Sequence, residues 1–339
     1  MTGRPAEGGG PAVRRWREAL PLYLVAVVVT ALILAPLAAP GYALRYDMVF
    51  VPRQPLSWDL VAPAQSLPRA VPMDALVSLV TQLVPGWVVQ RVALAGAVLF
   101  AAVGAGRLVP TERRAVQLVA AVAYAWTPYL AERLVARIDR EVGGIVLAGL
   151  LLLPLAAMPD LAFGGAGRIS PVRYPADWQA VAERLPDDPG EILALPLTTY
   201  RAYPWNPGRV VLDPAPRYLP GTVLTDDTLV VDDVAVAGEN PRLREVRRVL
   251  AEGQPVSATG VRWVVVQHGT PSTVDPAVLA GLDLRYEGES LSLYRNPAAS
   301  GSPQRAGSGR WLVVLACGTA VLVVMAAAFS TLRRRATAW

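Results

Sequence analysis

From Ala19 to Ala39 the chain carries no charged side chain, and Arg14, Arg15 and Arg17 stand just ahead of that stretch. An uncharged apolar run of about 20 residues is long enough to cross a bilayer as a helix, the form that satisfies its own backbone where water is absent. A secretory leader is the alternative. Its apolar core is usually about 7–15 residues, shorter than this run. Pro40 after Ala38-Ala39 also makes a poor cleavage site, so the segment reads as an uncleaved anchor.

Further candidate spans follow at Val92–Val109, Ala115–Leu130, Val142–Met158 and Trp311–Ser330. The third is short and contains Gln117 and Pro128, whereas the last is clean and is followed by Arg333, Arg334 and Arg335. Ala75–Val89 is apolar but broken by Gln82, Pro85 and Gly86, so it reads as a helix lying at the membrane surface or packed on the bundle. Composition agrees: 53% of residues are hydrophobic, 17% are charged, and the mean hydropathy is +0.36. Soluble domains sit near 45–50% apolar and about 25% charged.

The net charge of +5 has a location. Residues 160–310 carry 18 acidic residues and 15 Arg, a net of −3, while the remainder carries 9 and 17, a net of +8. All 32 basic residues are Arg, and those outside the polar block flank the apolar runs. That pattern belongs to membrane topology and argues against a nucleic-acid-binding face. One Cys and one His exclude an internal disulfide and a His-based metal cluster.

Basic residues favour the cytoplasmic side. The N-terminal Arg cluster then puts residues 40–90 outside, and the turn with Arg107, Arg113 and Arg114 inside. Counting from the closing Arg triplet puts the polar block outside. The two counts disagree by one crossing: either one candidate does not span, or an odd number of spans is absent near residues 131–145. The second reading fits AERLVARIDRE at Ala131–Glu141, which resembles a junction between two unrelated pieces.

The chain thus reads as an α-helical membrane protein of about four or five transmembrane helices with a small extracytoplasmic α/β domain, multi-pass in the plasma membrane. Its expected parts are a basic cytoplasmic tail (1–18), a span (19–39), an external loop with amphipathic helices (40–90), two or three spans (91–159), an α/β domain (160–296), a linker (297–310), a last span (311–330) and a cytoplasmic tail (331–339). Within the polar block, Ala176–Leu185 and Pro241–Leu250 have helical spacing, and the latter starts with a Pro at a favoured first position. Glu191–Leu197, Arg209–Leu212 and Val261–Gln267 read as strands. Leu282–Tyr286 and Ser290–Tyr294, around Glu287-Gly288-Glu289, read as a hairpin.

Asp47, in GYALRYDMVFVP (Gly41–Pro52), is the leading candidate for chemistry. A carboxylate just past the first span could take a proton from a sugar hydroxyl; the plain alternative is a solvated loop residue. Arg45, Arg53 and Arg69 could bind a phosphate bidentately, although Arg near a membrane surface is common without such a role. Asp59 and Asp74 are weaker candidates. Asp226-Asp227 and Asp232-Asp233 could hold a divalent cation, but their spacing fits no calcium loop, and two turns around a short strand explain them as well. No metal site is assigned and no cofactor is expected, a divalent cation being left open. His268 reads as a polar loop residue, Cys317 as a packing residue in the last span, and Gly164-Gly165-Ala166-Gly167 as a linker without the context of a phosphate loop. Trp126, Tyr129, Trp205 and Trp311 include interfacial anchors.

This order of parts resembles the C-type integral-membrane glycosyltransferases that take sugars from polyprenyl-phosphate donors, in particular actinobacterial cell-envelope arabinofuranosyl- and mannosyltransferases. The Asp47 loop resembles their first external loop, and VRWVVVQ with LRYEGESLSLYRNP (Leu284–Pro297) resembles their C-terminal external domain. The resemblance covers residues 19–130 and 150–335 in outline. It departs in the middle, where the family carries many more spans. It implies inverting transfer of a sugar to a cell-envelope glycan or protein, with Asp47 as base or acceptor-orienting residue and Arg45 and Arg53 as contacts for the phosphate. The implied partners are the bilayer, the lipid-linked donor, the glycan acceptor and a membrane protein. The rival is a non-catalytic membrane-anchored binding or scaffold subunit with an external α/β domain.

Overall fold

The computed structural model describes residues 11–57, 60, 73–111, 113–126, 159–187, 189–207, 209–231, 234–236, 238, 240–299 and part of 311–326. The candidate span Val142–Met158, the Ala131–Glu141 junction, and Asp59, Arg69, Tyr129, Asp232, Asp233, Cys317 and the Arg333–Arg335 triplet lie outside the described residues. The chain divides into two compact units, one of Met1–Arg45 with Trp87–Val172 and one of Tyr46–Gly86 with Arg173–Trp339.

In the first unit, α1 (Pro11–Leu34) continues into a short 3₁₀ turn at Ala35–Ala38. Leu22, Ala26, Val29 and Ile33 form its buried stripe, at the spacing of one helical face. Leu20, Leu24, Val27, Val28 and Leu32 face outward and are exposed. A helix apolar on both faces suits a hydrocarbon surround better than water. Glu18–Ala38 and Gly86–Leu108 are each long and apolar enough to cross a membrane.

The second long helix, which we number α3 (Gly86–Leu108) behind a short α2 (Met73–Thr81), starts six residues before the expected Val92. The expected surface segment Ala75–Val89 is therefore split between two helices. Pro85 precedes the first helical residue, where a missing N–H costs nothing. Gln90 and Arg91 do not stop the helix because they turn their polar ends to the chain. Gln90 accepts from the Ala43 N–H at 3.0 Å and donates to the Ala43 carbonyl at 2.8 Å. Arg91 donates to the carbonyls of Ala39 and Gly41 and lies over the Trp87 ring. The next helix, α4 (Arg114–Ala125), is 12 residues long and covers the expected Ala115–Leu130 only as far as Ala125. Gly106 on α3 makes room for it: a Cβ there would meet a Leu22 methyl at 2.6 Å and the Gln117 carbonyl at 2.9 Å.

The glycine run near residue 165, expected as a linker, is a built turn. Phe163, Gly164 and Gly165 all take left-handed angles (φ 56°, 70° and 66°), and Ile169 N–H bonds the Gly164 carbonyl at 2.9 Å. Consecutive glycines reach that conformation without the strain a side chain brings.

The second unit is built on a mixed sheet. Its strands, in chain order, are β1 (Glu191–Leu195), β4 (Thr222–Leu224), β7 (Trp263–Gln267), β8 (Asp283–Glu287) and β9 (Leu291–Arg295), arranged β4-β1-β7-β9-β8. β1 runs parallel to β4 and β7, while β9 runs antiparallel to β7 and β8. Two small antiparallel pairs are set apart, β2 (Tyr200–Ala202) with β3 (Val210–Leu212), and β5 (Leu229–Val231) with β6 (Val234–Val236). Alternate residues of the central strands point to opposite faces. Leu193, Leu195, Val264 and Val266 pack with Leu243 and Val246 of α6 (Pro241–Ala251). Ile192, Ala194 and Val265, at the intervening positions, are equally buried. Burial on both faces explains why these strands read as continuous apolar runs.

Asn240 caps α6, its side chain accepting from the N–H groups of Arg242 and Leu243. α5 (Ala176–Arg184) is tied to the β8–β9 hairpin by Asp177. One Asp177 oxygen accepts from Tyr286 Oη at 2.7 Å, and the other accepts from the Ser290 N–H and hydroxyl. The helices, strands and hairpin expected in the polar block are all present, within two residues at each end.

Candidate functional site

Asp47 is exposed and belongs to the second unit. The residue before it, Tyr46, has a φ of 47°, in the left-handed region that non-glycine residues rarely occupy. Two main-chain hydrogen bonds hold it there: Tyr46 N–H donates to the Val210 carbonyl at 2.8 Å, and Leu212 N–H donates to the Tyr46 carbonyl at 2.9 Å. Tyr46 therefore lies against β3, with β2 on the strand's other side. From β2, Tyr200 donates its phenol hydrogen to Asp47 Oδ1 at 2.7 Å, and the Tyr46 and Tyr200 rings meet edge to face at 6.5 Å.

The rest of the loop is anchored to the same unit. Tyr174 Oη donates to the Phe50 carbonyl at 3.1 Å, and Arg217 donates to the Val49 carbonyl at 3.1 Å. Arg217 also pairs with Asp74 at 3.3 Å, both side chains being largely buried. Asp74, a secondary candidate from the sequence, is thereby committed to an ion pair. α2 and the residue after it turn polar groups inward: Ser78 Oγ and Gln82 Nε2 donate to the Gln54 carbonyl, and Thr81 Oγ1 accepts from the Gln54 N–H. A Cβ on Gly86 would lie 1.9 Å from the Val51 carbonyl oxygen, so the chain closes here only with glycine.

Beneath β2 lies a fully buried ion pair. Arg201 Nε and Nη2 reach Asp213 Oδ2 at 3.0 and 2.9 Å, and Nη2 also reaches the Pro196 carbonyl at 2.7 Å. Gln267, the last residue of β7, donates to both Asp213 oxygens at 3.1 Å and accepts from Tyr203 Oη at 2.5 Å. Burial, then the Asp213 carboxylate, push Tyr203 well above the usual phenol range, with Arg201 opposing. The phenol stays a neutral donor. Tyr203 also stacks on Trp205 at 4.7 Å, within a cluster that includes Tyr174, Trp178 and Tyr218.

The other sequence candidates fall elsewhere. Arg53 is exposed in the second unit, and no hydrogen bond or ion pair joins it to Asp47 among the described residues. Arg45 is half-buried in the first unit. Asp226 pairs with Arg247 and accepts from the Thr228 N–H, while Asp227 accepts from the Asn240 N–H. Both have fold-building partners, and no group of three or more His, Cys, Asp or Glu that could hold a metal occurs among the described residues. His268 sits against Ser292, Nε2 to Oγ 2.7 Å. Tyr200, Arg201 and Asp213 were missed by sequence reasoning. The signal for Tyr200 and Arg201 is the aromatic-rich run TTYRAYPWNP (Thr198–Pro207), which has no helical or alternating pattern, and Asp213 has no such signal.

Fold and site together define a chain with, among the described residues, two helices of membrane-crossing length and an α/β layer that carries an exposed, hydrogen-bonded carboxylate. No family model and no curated protein matches it. Among solved structures, it is similar to the arabinofuranosyltransferase AftD from Mycobacteria over 89% of this chain and 25% of that one, at 16% identity and a TM-score of 0.29. The chain spans about a quarter of that protein's length.

Proposed function

We propose that the chain is a membrane glycosyltransferase that moves a sugar from a polyprenyl-phosphate donor to a cell-envelope acceptor, with Asp47 as the base. Asp47 takes the proton of the acceptor hydroxyl, whose oxygen bonds to the anomeric carbon of the donor sugar. The bond from that carbon to the phosphate oxygen breaks on the opposite face, its electron pair leaves with the polyprenyl phosphate, and the configuration inverts. Arg53 supplies a guanidinium for that phosphate. On this reading the α/β unit lies outside the plasma membrane.

The observation that carries the reading is the exposed Asp47 behind a left-handed Tyr46 pinned by two main-chain hydrogen bonds. Non-glycine left-handed residues cost roughly 1–3 kcal/mol and cluster where a site needs a fixed side chain. The test is transfer of a radiolabelled sugar from polyprenyl phosphate by the full chain in membranes. Asp47→Asn should lose transfer by at least about 100-fold while the protein still inserts. A variant that still transfers would remove Asp47 from the chemistry. A wild-type chain that transfers nothing would favour the non-catalytic scaffold.

A further inference from the structure

We infer that Tyr200 is the positioning residue of Asp47, holding one carboxylate oxygen so that the other faces the acceptor hydroxyl. The inference rests on the glycosyltransferase reading above. Tyr200 Oη donates to Asp47 Oδ1 at 2.7 Å, and Oδ2 accepts no hydrogen bond among the described residues. A phenol has one hydrogen to give, so it fixes the carboxylate without occupying both oxygens, as a bidentate Arg would.

The hydroxyl is 153 residues from Asp47 in the chain, and the backbone carrying it is fixed on both sides. On one side, Thr199 donates its hydroxyl to the Asp226 and Thr228 carbonyls, and its own carbonyl accepts from the Asp213 N–H. On the other, Arg201 points down into the buried pair with Asp213. Neighbouring strand residues face opposite ways, so anchoring Arg201 inward presents Tyr200 outward, where it is 39% exposed. An exposed hydrogen bond adds only about 1 kcal/mol to stability. Rigid support beneath an exposed phenol–carboxylate contact is the arrangement a base needs, because small misplacement of a reacting group lowers the rate steeply.

The experiment compares the full chain with Tyr200→Phe and Tyr200→Leu in the transfer assay, with Asp47→Asn alongside. Phe keeps the ring contact with Tyr46 and removes only the hydroxyl. It should lower kcat roughly 10- to 100-fold, leave the acceptor KM within about twofold, and leave the thermal midpoint unchanged, with Leu no worse in kcat than a further few-fold. Wild-type kcat in the Phe variant, where Asp47→Asn is inactive, overturns the inference and leaves the function standing. A raised KM at unchanged kcat overturns it as well, since that marks a binding contact. Transfer by Asp47→Asn overturns the function, and the inference with it.

Discussion

Asp177 shows how a single carboxylate can hold a helix to a hairpin. Burial opposes its ionisation, but the Ser290 N–H, the Tyr286 hydroxyl and the Ser290 hydroxyl outweigh burial and hold it below the ordinary carboxylate range. A carboxyl with a lowered folded-state pKa stabilises the fold above its unfolded pKa, and that contribution disappears as pH falls through the folded value. The wild-type chain should therefore melt higher than Asp177→Asn near neutral pH, and the gap should narrow as pH drops below about 4. A gap constant from pH 7 to pH 3 would show that the carboxylate's charge has no part in the clamp. Tyr286, at the other end of the contact, is raised by the same hydrogen bond, so it remains a donor across this range.

The β2–β3 pair is the element on which the site depends. Its strands are three residues each, and Arg201 of β2 pairs with Asp213, just past β3, both side chains having no exposed surface. Removing one member of a buried ion pair leaves an uncompensated charge, at a cost of about 3–5 kcal/mol. Arg201→Met should lower the thermal midpoint of the solubilised chain accordingly, and Arg201→Met with Asp213→Leu should recover part of the loss. A single variant as stable as the wild type would mean the pair contributes nothing to folding. The strands VRWVVVQ and EILAL were legible because burial on both faces writes a continuous apolar run into the sequence, and α6 because Asn240-Pro241 precedes an amphipathic repeat. β3 was legible at Arg209–Leu212, but β2 was not, since its three residues leave no periodic mark. The partner of Asp47 was invisible for a stronger reason: Tyr46 joins β3, and Asp47 meets Tyr200, across more than 150 residues of chain.

At the scale of the molecule, the sequence treats residues 40–90 as a loop and residues 160–296 as a separate domain. In the structure, Tyr46–Gly86 and Arg173–Trp339 belong to one compact unit. The Arg distribution leads to the expectation that this unit lies outside the membrane, which is open to direct measurement. Reporters fused near residues 135 and 235 and after Arg335 should place residue 235 outside and the C-terminus inside. Residue 135 then decides whether one weak segment fails to cross. A reporter at 235 that reads inside would overturn the external placement and the transferase reading together.

The interweaving of two distant segments also sets an order of events during synthesis. The strand that braces Tyr46, the phenol that meets Asp47 and the guanidinium that holds Val49 are all made more than 150 residues after the segment they secure. Until the ribosome has passed Leu212, the Asp47 segment has no strand to join, and a nascent chain halted earlier has the carboxylate in its sequence but no architecture around it. Assembly of this site is a late step, timed by the arrival of the C-terminal half.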